Sequence, residues 1–299
     1  MEIGSQAGWI ADMAESMGLP IEVANPYHDA WRWKNVRRKT DRDDALRLAQ
    51  MSEQGLLPTV HLPNKATRQW RNLIAYRHTL VSRRTAIKNS IRSILDQQGI
   101  AWPAGRAGWT QKTLRSLAAY LPKEGEPTDR DLWRLQLAWE RDALEHAERQ
   151  VALIESKLDS LAKADERVRR LRTIPGVGPR LAELVVAVID DPHRFKNAKQ
   201  VGAYAGLVPK QYESGTMSRQ GRITCRGNAL LRAVLAEVGW MMRRYNTWFA
   251  EIFDRVCRGA KTRKKIAVVA VARRLLICCW AMLRDGTDWR APTAHAAPA

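Results

Sequence analysis

The chain runs to 299 residues, enough for two domains, and its 45% hydrophobic content is that of a globular protein rather than a disordered one. Fifty Lys and Arg against 31 Asp and Glu leave a formal charge of +19 and a pI near 10.3. Such a field concentrates polyanions, nucleic acid first because each neutralised phosphate releases a condensed counterion, although charge alone leaves a ribosome-like or membrane-surface protein open.

Residues 1–62 mix short elements. Trp9 to Met17 reads as a helix stopped by Gly18. Ile21 to Pro26 reads as a strand closed by a turn, because Pro26 ends it and biases Asn25 to extended geometry. Trp31-Arg32-Trp33-Lys34 through Lys39 interleaves rings and cations, which suits either base stacking with phosphate contact or a basic loop with partly buried rings. Thr40 is placed to cap a helix from Asp41 to Gln54, with Gly55 at its end. Helix, strand and helix suggest a piece of an α/β sheet domain. Asp41 and Asp44 fall on one side of that last helix. Two carboxylates there could hold Mg²⁺, a hard cation that prefers oxygen, although acidic first turns are common for the helix dipole alone.

Residues 63–170 carry the pattern of two long helices. In the first, Leu73, Tyr76, Leu80, Ile87 and Ile94 share a face, with Ile91 beside them. In the second, Trp133, Leu137, Leu144, Ala147, Val151, Ile154, Leu158 and Leu161 alternate by fours and threes, broken by Glu140. That narrow seam is typical of coiled coils and predicts an antiparallel helical hairpin, paired within one chain or between two. The Pro- and Gly-rich joint from Trp102 to Pro127 has room for at most a short helix.

Residues 171–290 read as a third, mainly helical unit, and 291–299 as a disordered tail. Arg172 to Pro179 contains Gly176-Val177-Gly178 ahead of an apolar helix from Leu181 to Ile189. Helix, G-x-G turn and helix match a helix-hairpin-helix, in which glycines let backbone N–H groups reach a phosphate; a turn that binds nothing has the same pattern. Arg169, Arg170, Arg172 and Arg180 flank it and favour phosphate contact. Next come Ser214-Gly215, read as a turn, and the run Arg219, Arg222 and Arg226 before a helix starting near Asn228. A serine attacking a phosphodiester needs cations nearby, and these arginines would supply them. The most hydrophobic stretch, Ile266 to Leu283, has Arg273 and Arg274 at its middle. Each would cost ~2.5–3.5 kcal/mol inside a bilayer, so this is read as a buried or amphipathic helix, with no membrane partner. Cysteines at 225, 257, 278 and 279 form no C-x-x-C pair and fit reduced thiols of a cytoplasmic protein. No signal-peptide core opens the chain.

In order along the chain, Glu2, Gly18, Asn25-Pro26, Lys39-Thr40-Asp41 with Asp44-Ala45, Lys88-Asn89, and Ile174-Pro175-Gly176-Val177-Gly178 form the first half of a set of strings. Tyr204 to Pro209, Ser214-Gly215, Gly227-Asn228 with Leu231-Arg232, and Ala270 to Leu275 complete it. This ordered set resembles the DEDD insertion-sequence transposases related to the Piv DNA invertases, whose better-known members are guided by a bridge RNA. The resemblance implies a mainly α protein. It would have an incomplete RuvC-like, RNase H-type α/β piece at 1–62, a helical coiled-coil region at 63–170, and a C-terminal transposase domain at 171–290. It implies Glu2, Asp41 and Asp44 as the second, third and fourth acids around Mg²⁺, and Ser214 as the nucleophile, with Ser218 as the fallback. The strand that bears the first acid is not in this sequence, so the chain reads as N-terminally truncated. Gly176, Gly178, Arg180, Arg219, Arg222 and Arg226 would meet nucleic acid. The implied partners are DNA, a structured guide RNA and further copies of the chain as a dimer or tetramer. Two other readings stay open: a non-catalytic nucleic-acid-binding remnant, and a junction nuclease that needs no serine.

Overall fold

Helices dominate the protein, as the sequence predicts. The computed structural model describes residues 1–25, 28, 40–122, 131–214 and 217–291, so the segment from Trp31 to Lys39 and the tail beyond Ala291 lie outside the described residues. The chain divides into two compact units, Met1–Trp70 and Arg71–Ala299.

In the first unit, helix α1 (Ala7–Ser16) buries Ala7 and Ala11, and Gly18, at φ +70°, reverses the chain after it. The strand expected at Ile21–Pro26 is reduced to isolated bridges, Glu2 with Ala24 in parallel and Ala24 with Thr59 in antiparallel. Ala24 N–H donates to Met1 O at 2.6 Å, Asn25 N–H to Pro58 O at 2.8 Å and Val60 N–H to Val23 O at 2.8 Å. Pro20 and Pro58, which lack an N–H, leave little room for a longer ladder. Extended segment, helix and parallel extended segment make a minimal βαβ unit. Helix α2 (Asp41–Glu53) starts where predicted: Thr40 Oγ1 accepts from Asp43 N–H at 3.2 Å, and Gly55 follows its end at φ +66°. None of its residues is fully buried. At the start of α3 (Lys65–Gln97), Arg68 donates to Gly8 O at 3.2 Å and pairs with Asp12.

In the second unit, α3 and α5 (Leu132–Ala164) form the antiparallel hairpin, paired within the chain. Leu80 packs with Val151 and Ile154, while Ile91, Ile94 and Leu95 pack with Leu137 and Leu144. Arg77 Nε donates to Glu155 Oε1 at 2.8 Å, and Lys88 pairs with Glu148 at 3.1 Å. Glu140, the break in the apolar seam, accepts from Ser90 Oγ at 2.7 Å, so its place in the seam is polar and satisfied. Two expected seam residues are exposed instead, Tyr76 at 46% and Leu161 at 36%, and Ala162 is buried in place of the latter. A straight helix drifts ~20° per heptad against a 3.5-residue repeat, so the seam slips by one position at its end. The joint holds more helix than expected. A six-residue α4 (Gln111–Ser116) sits between two 3₁₀ turns, and Leu117, Trp102 and Trp109 pack against the end of the hairpin.

The remaining elements are α6 (Glu166–Leu171), α7 (Pro179–Ile189), α8 (Ala198–Tyr204), β1 (Pro209–Ser214), β2 (Met217–Ile223), α9 (Ala229–Tyr245), α10 (Thr247–Cys257) and α11 (Lys264–Asp285). Asp165, Asn197, Asn228 and Asn246 cap α6, α8, α9 and α10 through their side-chain oxygens. Helix α7 is buried on every side from Leu181 to Ile189. Arg71 and Arg194 donate to its last carbonyls, Ala187, Val188 and Ile189, and so place cations at its negative end. Helix α11 is long and apolar enough to cross a membrane by length and composition, yet half of its most apolar stretch is buried inside the protein. It packs against α8, α9 and α10, and Trp280 Nε1 donates to Pro192 O at 2.8 Å.

Candidate functional site

Ser214 is presented by a β-ribbon that the sequence did not announce. Where a turn and a basic run are expected, β1 and β2 pair antiparallel, Ser214 opposite Met217, Glu213 opposite Ser218 and Tyr212 opposite Arg219. The connection at 215–216 lies outside the described residues. Neither strand is half-buried, so neither shows the alternation that marks a strand in sequence.

The base of the ribbon is built by the strings that carry the family resemblance. Gly206, at φ +69°, would put a Cβ 2.1 Å from Arg226 O; Gly227, at φ +83°, would put one 2.0 Å from Tyr204 O. These two glycines let the end of α8 and the start of α9 cross backbone to backbone. Arg232 then ties the crossing together, its Nη1 donating to Arg226 O at 2.9 Å, Gly227 O at 3.1 Å and Ala205 O at 3.3 Å. Thr224 N–H donates to Val208 O at 2.8 Å and closes the ladder.

Ser214 is exposed, as are Ser218, Arg219, Arg222 and Arg226. The three arginines have no ion-pair partner among the described residues. Their charge is therefore available to a phosphate. Arg180 is not in that condition: it pairs with Asp159 and donates to Glu183 Oε1 at 2.9 Å. Its partner Glu183 is 1% exposed, and burial pushes that carboxyl above its ordinary value against the pull of Arg180. Arg180 is thus occupied in holding a buried carboxyl.

The two glycines of the G-x-G turn differ as well. Gly176, at φ +94°, would put a Cβ 3.0 Å from Met242 Sδ and from Tyr245 Cβ, so its bareness serves packing against α9. Gly178 is the exposed N-cap of α7, with open space where a Cβ would stand. Of the two, Gly178 leaves room for a ligand.

Glu2, Asp41 and Asp44 belong to the first unit. Glu2 is exposed beside its bridge to Ala24, and Asp41 and Asp44 stand in the first turn of α2. Among the described residues no three His, Cys, Asp or Glu gather closely enough to hold a metal, so these acids do not form a ready-made cage. A cavity of the unit, about 1300 Å³, is lined by other carboxylates, Asp12, Glu15 and Glu22, with His61, Lys65 and Arg68. Asp12 is taken up by Arg68, and Glu22 accepts from Ser52 Oγ at 2.6 Å.

A mainly helical, strongly basic protein that holds out a cationic ribbon with a bare serine has the makings of a protein that works on nucleic acid. Residues 168–254 match the Transposase IS116/IS110/IS902 family, and residues 1–100 match the DEDD transposase domain of the IS110 group. The chain is 30% identical over 296 residues to a probable family 20 transposase of Pseudomonas aeruginosa, covering 96% of this chain and 83% of that protein. It is 28% identical over 282 residues to the transposase for insertion sequence element IS1111A of Coxiella burnetii, covering 92% and 74%. A pilin gene-inverting protein of Moraxella lacunata is 33% identical over 122 residues, 40% of this chain and 37% of that one. The chain belongs to the IS110/IS116/IS902 family of transposases, enzymes of DNA transposition and recombination.

Proposed function

We propose that this transposase breaks and rejoins DNA through a covalent link to Ser214, directed by a structured RNA and assembled from two or four copies. The observation that carries the reading is an exposed serine whose hydroxyl makes no hydrogen bond among the described residues, on a ribbon bearing unpaired arginines. Ser214 Oγ attacks the phosphorus and gives up its proton to solvent. The Oγ–P bond forms, the P–O3′ bond breaks, and the 3′ oxygen takes a proton from solvent and leaves as a hydroxyl. The bond energy is kept in a 5′-phosphoserine, so a 3′-hydroxyl can later reverse the step on another strand. Arg219 and Arg222 stabilise the charge that develops on the phosphate.

Mg²⁺ belongs to the proposal as an ion recruited together with substrate. It is commonly held by one or two carboxylates plus phosphate oxygens, and Asp41 and Asp44 would provide the carboxylates, with Glu2 as a third ligand of a RuvC-like site. It would neutralise phosphate charge, and no step above depends on it. Among the described residues Glu2, Asp41 and Asp44 form no ready-made acid cluster, and this supports a second reading, a family member that binds nucleic acid without cutting it.

Denaturing gels of the chain with labelled DNA from its own insertion element, Mg²⁺ and the RNA transcribed from that element separate the two. A covalent adduct lost in Ser214→Ala, with binding kept, is the expected result. An adduct that persists in Ser214→Ala moves the nucleophile to Ser218. Binding without any adduct supports the second reading.

A further inference from the structure

Between Lys210 and Arg222 the ribbon β1–β2 gives no described side chain to the helical core. Every described residue from Lys210 to Arg222 is exposed, among them Tyr212 at 58% and Met217 at 74%. An isolated two-stranded ribbon is marginal in water, and apolar side chains left on it forgo their burial. That surface is shaped for an occupant, and its charge says which. Lys210, Arg219 and Arg222 stand against one acid, Glu213, which Gln211 engages. The pleat puts Ser214, Tyr212 and Lys210 on one face, together with the residues opposite them, Met217 and Arg219. Gly221 would put a Cβ 2.7 Å from Tyr212 Cε2, so only a bare residue lets that ring lie across β2. The register slips between Pro209 and Gln211, leaving Gly221 and Arg222 both opposite Lys210, and such a bulge re-aims the side chain that follows it. One face of the ribbon thus carries a thioether and a serine hydroxyl side by side, then an aromatic ring, with cations around them.

We propose that this face enters a groove of duplex DNA and that Met217 wedges into the base step beside the phosphate addressed by Ser214. Tyr212 packs on the neighbouring bases or sugars, and Arg219 and Lys210 hold the flanking phosphates. A two-stranded ribbon fits a DNA groove, and methionine is among the apolar side chains that unstack base steps. The unstacked step opens the phosphate to attack. The proposal deepens the serine reading and rests on it for the position of the wedge.

The test uses the full chain bound to a plasmid carrying its own gene with flanking DNA, probed with permanganate for unstacked thymines and diethyl pyrocarbonate for unstacked purines. The parent protein is expected to create a hyper-reactive base step. Met217→Ala should lower that reactivity at least ~5-fold while affinity changes less than ~3-fold. Tyr212→Ala should weaken binding ~10-fold, in the range of one lost aromatic–base contact. Arg219→Ala should reduce the slope of log affinity against log salt by about one. Because these side chains lie outside the core, each variant should melt as the parent does, so a folding failure would show itself separately. Parent protein without a hyper-reactive step, or an unchanged step in Met217→Ala, overturns the wedge. If the variants weaken binding to the transcribed RNA and leave DNA binding intact, the choice of DNA is overturned. The two readings fail independently: adducts lost in Ser214→Ala with an unchanged step in Met217→Ala retain the nucleophile and remove the wedge, and the converse pair of results does the reverse.

Discussion

Gly227 shapes the base of the ribbon, and Glu183 is a buried carboxyl of α7 held by Arg180. Replacing Gly227 by Ala forces a Cβ within 2.0 Å of Tyr204 O at a φ of +83°. Strain of this kind costs about 1–3 kcal/mol, so Gly227→Ala should lower the denaturation midpoint and loosen the ribbon base; an unchanged urea midpoint would contradict the crossing. Glu183 acts through pH. Burial raises its carboxyl above the ordinary value, so folding favours the protonated form, and stability is lost as pH rises from the usual glutamate range through the raised folded value. Gln stays neutral and its oxygen can still accept from Arg180. The melting temperature of Glu183→Gln should therefore exceed the parent's by a margin that widens from pH 4 toward neutrality. A constant margin would assign Glu183 no titration there. Sequence marked the glycines of the G-x-G turn as equals, yet Gly176 packs on α9 and Gly178 faces open space, because the sequence does not carry the position of a helix some 65 residues further on.

At the scale of elements, legibility followed burial. The α3–α5 hairpin could be read because a buried seam writes a seven-residue period into the chain. Its far end tests the drift of that seam. Leu158 is fully buried and Leu161 is not, so Leu158→Ala should destabilise by ~2–5 kcal/mol and Leu161→Ala by much less. Equal losses, measured by chemical denaturation, would return Leu161 to the seam. The ribbon was invisible for the opposite reason, since both of its faces meet solvent and no period of two is imposed. The N-terminal segment is extended chain with isolated bridges rather than a full strand, because a proline-bounded apolar run marks extended chain without saying how many partners it finds. The helix capped by Thr40 starts where the sequence places it, a local hydrogen bond being all that its start requires.

For the whole molecule, charge is the property that sequence conveys best, and it leads to a prediction independent of any site. With a formal +19, binding to duplex DNA should fall ~10³-fold between 50 and 200 mM salt if about six phosphates are contacted; a flat salt dependence would deny an electrostatic interface. What the sequence could not convey is assembly across distance: the acids lie in one compact unit and the serine in the other. The hairpin, finally, has a consequence in time. Leu80 lacks its partners across the hairpin until Val151 and Ile154 are made, and at ~5–20 residues per second that interval lasts roughly 4–14 s. Throughout it, the first arm of the hairpin leaves the ribosome with its apolar face unpaired, so every newborn copy passes through a state that chaperones can bind.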